Sequence, residues 1–407
     1  MLKEAQFPMQ KLGEVVEILD HLRIPVNSEA RDKRRGDVPY YGANGLQGWI
    51  DKPLFNEPLI LMAEDGGNFD DFSTRPIAYR IDGPAWVNNH AHIIKSENPN
   101  LHSFIYWSVA HKDIRKHVAG GTRQKLNQSA LKEIEIPWPP EDEGKIVGII
   151  LDTLDTQIQK TEALIAKLEK VKEGLLHDLL TRGIDKNGQL RPTPEQAPEL
   201  YKESPLGLIP KEWRTEALDS LVSDCYRYLS YYGIEYVEDG VKEVRGELIK
   251  KDGSLESNES SYRKISETTA RRFSRVKLKE GDIVATVRGT IGKFAIANVA
   301  NYGSVITANL LKISPNLRSV KSEWLLTTLM SRSFQDKLDA ACSSTTIKTI
   351  QAPELLGLAL AVPELEEQSE VLVRVNNLSE LIDTQKQELS KLNGHKAGLM
   401  DDLLTGR

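Results

Sequence analysis

The sequence predicts an α/β (α+β) protein built as two globular domains, each followed by a long helix. Three observations predict this. A heptad seam runs through residues 143–182 without a proline. The same seam returns 224 residues later. The stretches before each seam alternate short apolar strand-like runs with glycine turns and one helical segment.

The seam positions in the first rod are Leu151, Leu154, Ile158, Thr161, Ile165, Leu168, Lys172, Leu175 and Leu179. The steps alternate three and four residues, the a/d spacing of helices that pack along one stripe. About 38 helical residues at ~1.5 Å each make a rod of roughly 57 Å. Adding 224 gives Val375, Leu378, Ile382, Gln385, Leu389, Leu392, Lys396, Leu399 and Leu403. Seven of the nine positions are apolar in both copies, and the breaks at Thr161/Gln385 and Lys172/Lys396 fall at matching places. The offset holds without slippage from about Leu126 to Thr181, so the chain is two copies of one unit. The seam leucines and isoleucines are assigned to packing.

The expected boundaries are a first domain over residues 1–142, a rod over 143–182, a linker over 183–212, a second domain over 213–366 and a second rod over 367–407. In the first domain, Lys11-Leu12-Gly13-Glu14-Val15-Val16-Glu17-Ile18 is a short amphipathic opening segment. Leu59-Ile60-Leu61-Met62-Ala63 reads as a buried strand and Phe104 to Lys116 as a helix. Gly120 to Asn127 reads as a polar loop, and Pro137, Pro139 and Pro140 stop the domain. Five prolines and no sustained apolar period make 183–212 a linker. In the second domain, Ile283-Val284-Ala285-Thr286-Val287 answers the first buried strand, Trp324 to Leu338 the helix, and Ser343 to Ile350 the polar loop. The rods agree well and the globular parts poorly, as expected of a shared scaffold carrying two different readers.

With 407 residues, 40% of them hydrophobic, the chain is long enough to bury real cores. No apolar run is long enough to span a bilayer and no signal peptide opens the chain. Two cysteines, Cys225 and Cys342, rule out a disulfide framework and fit a reducing, cytoplasmic setting. The net charge of -6 argues against a polyanionic partner until its distribution is examined. Basic residues cluster at 31–35, 112–125 and 262–279, while acid gathers at Glu141-Asp142-Glu143 and at Glu364, Glu366, Glu367 and Glu370. Fields are screened within ~8–10 Å, so local patches decide phosphate binding.

Catalytic chemistry is not visible. His90 and His92 form an H-x-H pair with no third ligand at convincing spacing, so no metal is expected. Gly289-Thr290-Ile291-Gly292-Lys293 lacks phosphate-loop spacing and reads as a glycine turn. No cofactor loop, nucleophile elbow or Asn-Pro-Pro-aromatic motif occurs. Hydroxyl, amide and cationic side chains are the types that contact phosphates and base edges. The candidates for DNA contact are therefore Arg31, Arg34, Arg35, Tyr40 and Asn44, then Thr122, Arg123, Gln124 and Lys125 of the first polar loop. In the second half they are Arg271, Arg272, Arg288, Thr290 and Lys293, with Thr345 and Lys348 of the second polar loop.

Several stretches together carry a family resemblance. They are Tyr41-Gly42-Ala43-Asn44-Gly45, Ala63-Glu64-Asp65-Gly66-Gly67-Asn68, Trp86-Val87-Asn88-Asn89-His90-Ala91-His92, and Gly121-Thr122-Arg123-Gln124-Lys125-Leu126 with Ile136-Pro137-Trp138-Pro139-Pro140. The second half adds Gly281-Asp282-Ile283, Arg288-Gly289-Thr290-Ile291-Gly292 and Pro363 with Glu366-Glu367-Gln368. With the repeat order, these make the whole chain resemble the DNA-specificity subunit of type I restriction–modification systems. The first copy departs at the helix entry, reading Pro139-Pro140-Glu141-Asp142-Glu143-Gly144, and the second polar loop lacks the glycine of the first.

The resemblance implies an antiparallel coiled coil holding two target-recognition domains, each reading one half of a split, asymmetric site in double-stranded DNA. A rod of roughly 57 Å would space the readers on the order of one to two DNA turns. It also implies a non-catalytic chain docking two methyltransferase subunits, with restriction/translocase subunits joining through them. S-adenosylmethionine, ATP and Mg²⁺ would belong to those partners, and adenine would be flipped into the methyltransferase. The other reading is a coiled-coil adaptor between proteins with non-specific DNA binding.

Overall fold

Proline ends each globular stretch and acid starts each rod. In the computed structural model, which describes residues 7–121, 124–227, 233–342 and 348–406, the first long helix is Glu141–Thr181 and the second Leu365–Leu403. Glu141, Asp142 and Glu143 occupy one first turn, Glu366 and Glu367 the other. Carboxylates there complement the positive end of the helix dipole. No helix among the described residues is long and apolar enough to cross a membrane.

The chain forms two compact units, and each takes a piece of both long helices. Residues 1–165 with 385–407 make one unit, and residues 166–384 the other. In the first unit Leu151 shares a core with Leu399, Leu403 and Leu404, and further along the helix Asp155 meets Lys396. Advancing on one helix retreats on the other, so the pair is antiparallel. In the second unit Leu179 shares a core with Val371 and Val375.

Leu151, Leu154, Ile158, Ile165, Leu179 and Ile382 are buried, while Leu168, Leu175, Leu378, Leu389, Leu392, Leu399 and Leu403 are half-buried. The ends of the seam do more than pair helices. Leu151 lies in the hydrophobic core of its globular domain with Phe104 and Trp107, and Leu179 with Trp324 and Phe334.

In the first unit one four-stranded sheet has the order Val16–Ile18, Ala91–Ser96, Leu59–Ala63, Ala78–Ile81, all antiparallel. All five residues of Leu59–Ala63 are buried, which explains its unbroken apolar run. A second sheet has the order Gly45–Ile50, Val38–Gly42, Pro84–Val87, Phe55–Asn56, with its middle pair parallel. Met9–Lys11 pairs with Glu135–Pro137, bringing the domain's two ends together beside the helix entry.

The second unit repeats this plan despite poor sequence agreement. Its first sheet runs Val222–Tyr226, Leu310–Pro315, Ile283–Thr286, Phe294–Ile296. Its second runs Tyr236–Val237, Arg263–Ile265, Val241–Val244, Val305–Ile306, again with one parallel pair. Arg214–Ala217 pairs with Ala359–Val362 as the closing ribbon.

The structure refines four of the expected segments. The opening amphipathic segment is a helical turn, Leu12–Glu14, followed by the strand Val16–Ile18. The helix expected over 104–116 is His102–Ala110, with a separate turn at Arg115–His117. Asp113, between the two, accepts the Arg115 backbone N–H at 3.1 Å at the start of that turn. The helix expected over 324–338 is two helices, Ser322–Met330 and Arg332–Ala341. Ser331 is extended between them and its side chain accepts the Phe334 N–H, restarting the helix. Residues 183–212, expected as a linker, carry a hairpin, Tyr201–Ser204 with Gly207–Pro210, and a buried arginine, Arg191.

Candidate nucleic-acid interface

In the first unit, four separate sequence stretches meet at one end of the sheets. The strand Leu59–Ala63 runs into Glu64-Asp65-Gly66, where Gly66 takes φ +64°, a conformation that favours glycine. Asn44, at the tip of the hairpin Val38–Gly42/Gly45–Ile50, donates to the Gly66 carbonyl at 2.8 Å. His90 Nδ1 lies 2.8 Å from Asp65 Oδ1. The outgoing arm of the first polar loop returns to the same place: Leu126 N–H donates to Glu64 O at 2.8 Å, and Lys125 Nζ sits 3.0 Å from Glu64 Oε1. Gln124 donates to Asp70 at 2.9 Å.

Beneath this edge is an ion-pair network that sequence reading missed. His92 places Nδ1 2.6 Å from Asp20 and Nε2 2.7 Å from the Leu126 carbonyl. Arg23 reaches Glu64 at 2.7 Å and Asp20 at 3.5 Å. Burial opposes ionisation of Asp20, but the bonds from His92 and the Ile93 N–H and the Arg23 charge outweigh it and hold its carboxyl below the ordinary value. Glu64 is held down the same way, against burial, by Arg23 and Lys125. Asp20, Glu64 and His92 bring potential ligand atoms within 4.8 Å of one another. Arg23, Lys125 and the Leu126 carbonyl already engage those atoms, so the cluster works as a clamp between the Asp20–Leu22 turn, the strand Ala91–Ser96 and the root of the polar loop. Only the pairing of Glu64 and His92 within quoted stretches hinted at it; Asp20 gave no signal.

The remaining first-half candidates divide. Arg31 stacks over the Tyr40 ring at 4.9 Å, and Arg34 over Trp86 at 4.5 Å while bonding Asp51 at 2.7 Å. Arg35 is exposed. Tyr40 is a correction: it is 2% exposed and its hydroxyl donates to the Val26 carbonyl, so it is a core residue and presents no polar atom to a ligand. Thr122 and Arg123 lie outside the described residues.

The second unit places its loops in the equivalent arrangement. Gly289 N–H donates to Lys348 O at 3.2 Å, and Arg288 bridges Thr349, so the glycine turn meets the second polar loop as Glu64–Gly66 meets the first. Arg288 and Thr290 are exposed and Lys293 half-buried, and all three line one cavity. Lys348 Nζ lies 3.4 Å from Asp339. Arg271 and Arg272 are exposed in the last turn of Glu267–Arg272 and are not part of that lining. Thr345 lies outside the described residues. Sequence reasoning missed Glu243 and Arg245, which line the same cavity from the strand Val241–Val244 and the residue after it.

The family model described as "Type I restriction modification DNA specificity domain" matches residues 6–170 and again 228–394. The chain is 25% identical over 311 residues to the type I restriction enzyme MjaVIII specificity subunit of Methanocaldococcus jannaschii, covering 75% of this chain and 69% of that protein. It is 25% identical over 298 residues to the EcoBI specificity subunit of Escherichia coli, covering 72% of this chain and 61% of that one. Among solved structures, the type I restriction–modification S subunit from M. genitalium superposes with a TM-score of 0.61 at 14% identity, covering 99% of this chain and 98% of the other.

Proposed function

Since the chain belongs to the type I restriction modification DNA specificity family, we propose that it is the non-catalytic, DNA-reading subunit of such a complex. Each globular domain reads one half of a split, asymmetric site in double-stranded DNA. The observation that carries this is the double match of the family model, at 6–170 and 228–394, each falling on one domain and most of its long helix.

Contact chemistry supports the reading. Among the described residues, the loop edge of the first unit carries the amides of Asn44 and Gln124 and the ammonium of Lys125, and that of the second the hydroxyl of Thr290 with Arg288, Lys293 and Lys348, types that bind phosphates and base edges. The long helices offer a docking surface. Ile146, Ile149 and Ile150 are 57%, 55% and 39% exposed at helical spacing, an apolar stripe unusual on a surface otherwise rich in charge. Two methyltransferase subunits are the occupants this reading expects, with restriction/translocase subunits joining through them. S-adenosylmethionine, ATP and Mg²⁺ belong to those partners, methylation falls on adenine, and the complex works in the cytoplasm.

Methylation mapping of the source genome with and without this gene tests the proposal. Loss of one split adenine-methylation motif on deletion is the expected result. An unchanged methylome, with purified chain and neighbouring methyltransferase binding all duplexes alike, would make the protein an adaptor.

A further inference from the structure

Glu243, in the strand Val241–Val244, and Arg245, the extended residue just after it, are two residues apart, so they share a face, and both line a cavity of about 460 Å³. Both four-stranded sheets of the second unit contribute walls, through Ile265 and Val305 on one side and Thr286 and Leu310 on the other. The volume lies within the range of small-molecule sites.

The polar groups inside are incompletely satisfied. Glu243 is 4% exposed; its Oε1 accepts from the Tyr236 hydroxyl at 3.3 Å, while Oε2 is buried with no hydrogen-bond partner among the described residues. Arg245 gives one terminal nitrogen to the Ser261 carbonyl at 3.0 Å and the other to Glu247 at 2.5 Å, and its Nε is buried without a partner. Burial pushes the Glu243 carboxyl up from its ordinary value, and the Tyr236 hydroxyl only partly offsets this. Buried polar atoms are rarely left unpaired, and an orphan acceptor and an orphan donor on two residues of one cavity lining ask for a ligand edge carrying both. The lining also holds the cations Arg263, Arg288 and Lys293, and the half-exposed ring of Tyr236.

We propose that this cavity binds an unpaired nucleotide, with its base directed to Glu243 Oε2 and Arg245 Nε and its phosphate held by Arg263, Arg288 and Lys293. Every nucleobase presents an N–H donor next to a ring or carbonyl acceptor, which matches the orphan pair. Tyr236 offers a stacking face. An aliphatic anion would leave Glu243 unsatisfied, and a simple cation would be repelled by the lining. The nucleotide could come from DNA, swung out of the duplex, or be free in solution. The first source rests on the DNA-reading role proposed above; the second does not.

The experiment titrates the full chain with dAMP, dCMP, dGMP, dTMP and deoxyribose 5-phosphate by calorimetry. At least one nucleotide is expected to bind tenfold or more tighter than the sugar phosphate. Glu243→Met, close in volume but without an acceptor, is expected to lose that preference, binding nucleotides no more tightly than deoxyribose 5-phosphate, while its circular dichroism spectrum matches that of the native chain. Nucleotides binding no better than deoxyribose 5-phosphate, on the native chain alone, would overturn the proposal. Retention of the preference by Glu243→Met would overturn it too. A duplex carrying a one-nucleotide bulge separates the sources: tighter binding than the paired duplex, competed by the mononucleotide, assigns DNA, and mononucleotide binding without bulge preference assigns a free nucleotide. Sequence preference among paired duplexes is measured separately, so failure of the DNA-reading role is distinguishable from failure of this site.

Discussion

Lys396 Nζ lies 2.5 Å from Asp155 Oδ1 and 4.6 Å from the centre of the Trp107 ring. A lysine in an apolar seam is thus matched, within the first unit, by an acid from the other long helix and an aromatic face from the globular domain. Both charged side chains are about one-fifth exposed, so the pair is only partly screened by water. Lys396→Ala leaves Asp155 without this partner, and the expected loss is about 1–3 kcal/mol. A double-mutant cycle with Asp155→Ala in urea unfolding checks it; additive single effects would show that the two groups do not couple.

Arg191 makes the segment 183–212 part of the second unit. Its guanidinium forks onto both oxygens of Glu367, at 2.5 and 3.1 Å, and reaches Glu212 at 2.9 Å, while Trp213 Nε1 donates to Glu367 at 3.0 Å. Arg191 is 5% exposed and the Glu367 side chain 13%, so removal takes the counter-ion from a largely covered carboxylate. Arg191→Ala is expected to cost about 3–5 kcal/mol. Arg191→Lys keeps the charge, lacks the planar fork and should recover only part of that. Limited proteolysis in the 183–212 segment is the readout, with cleavage fastest for the alanine variant.

The seam is not energetically uniform. Leu151 is fully buried in the domain core, whereas Leu168 is half-buried. Leu151→Ala should cost about 2–5 kcal/mol through lost burial and a residual cavity, and Leu168→Ala clearly less. The double substitution Leu168→Asp with Leu392→Asp puts two acids at half-buried positions and is expected to block complex assembly with the methyltransferase. Size-exclusion chromatography of the mixed subunits decides this, and a normal complex would show that these positions do not pack.

Stability should also depend on Asp20. Its carboxyl is held below the ordinary value in the folded chain. A depressed carboxylate contributes stability above its unfolded pKa, about 3.9, and loses it as pH falls through the folded value. Asp20→Asn should therefore be less stable than the native chain at pH 6, and the difference should shrink steadily below pH 4. Denaturant midpoints across pH 3–6 give the profile; a gap that widens toward acid would contradict the clamp.

The rods were legible because helix packing writes a three–four rhythm that survives at Leu151, Leu179, Ile382 and their neighbours. The repeated sheet order was not legible, because strand pairing is decided between distant segments such as Val38–Gly42 and Pro84–Val87. Ser331 looked like a residue inside one helix, since nothing local distinguishes a cap from an interior serine until the chain turns. Tyr40 was a candidate contact, yet alternation along Val38–Gly42 puts it on the buried face. Glu243 and Arg245 gave no signal in the sequence, being two charged residues in and just after a short strand. Their significance rests on which sheet covers them, which no local pattern records.

Exchange of residues 213–366 for the matching domain of a relative is expected to change one half of the recognised DNA sequence and leave the other half intact. The second unit has its own two sheets, closing ribbon and core, so its reading surface can travel with it. The junction is the sensitive point. Gln368, just beyond it, is fully buried; it accepts the Lys321 N–H at 2.8 Å and donates to the Ser319 and Pro363 carbonyls at 3.2 and 2.9 Å. An incoming domain must present the same three backbone groups to the retained glutamine. An exchange that satisfies Gln368 should fold and methylate a hybrid site, read by methylation mapping. A hybrid altered in both halves would mean that the domains do not read independently.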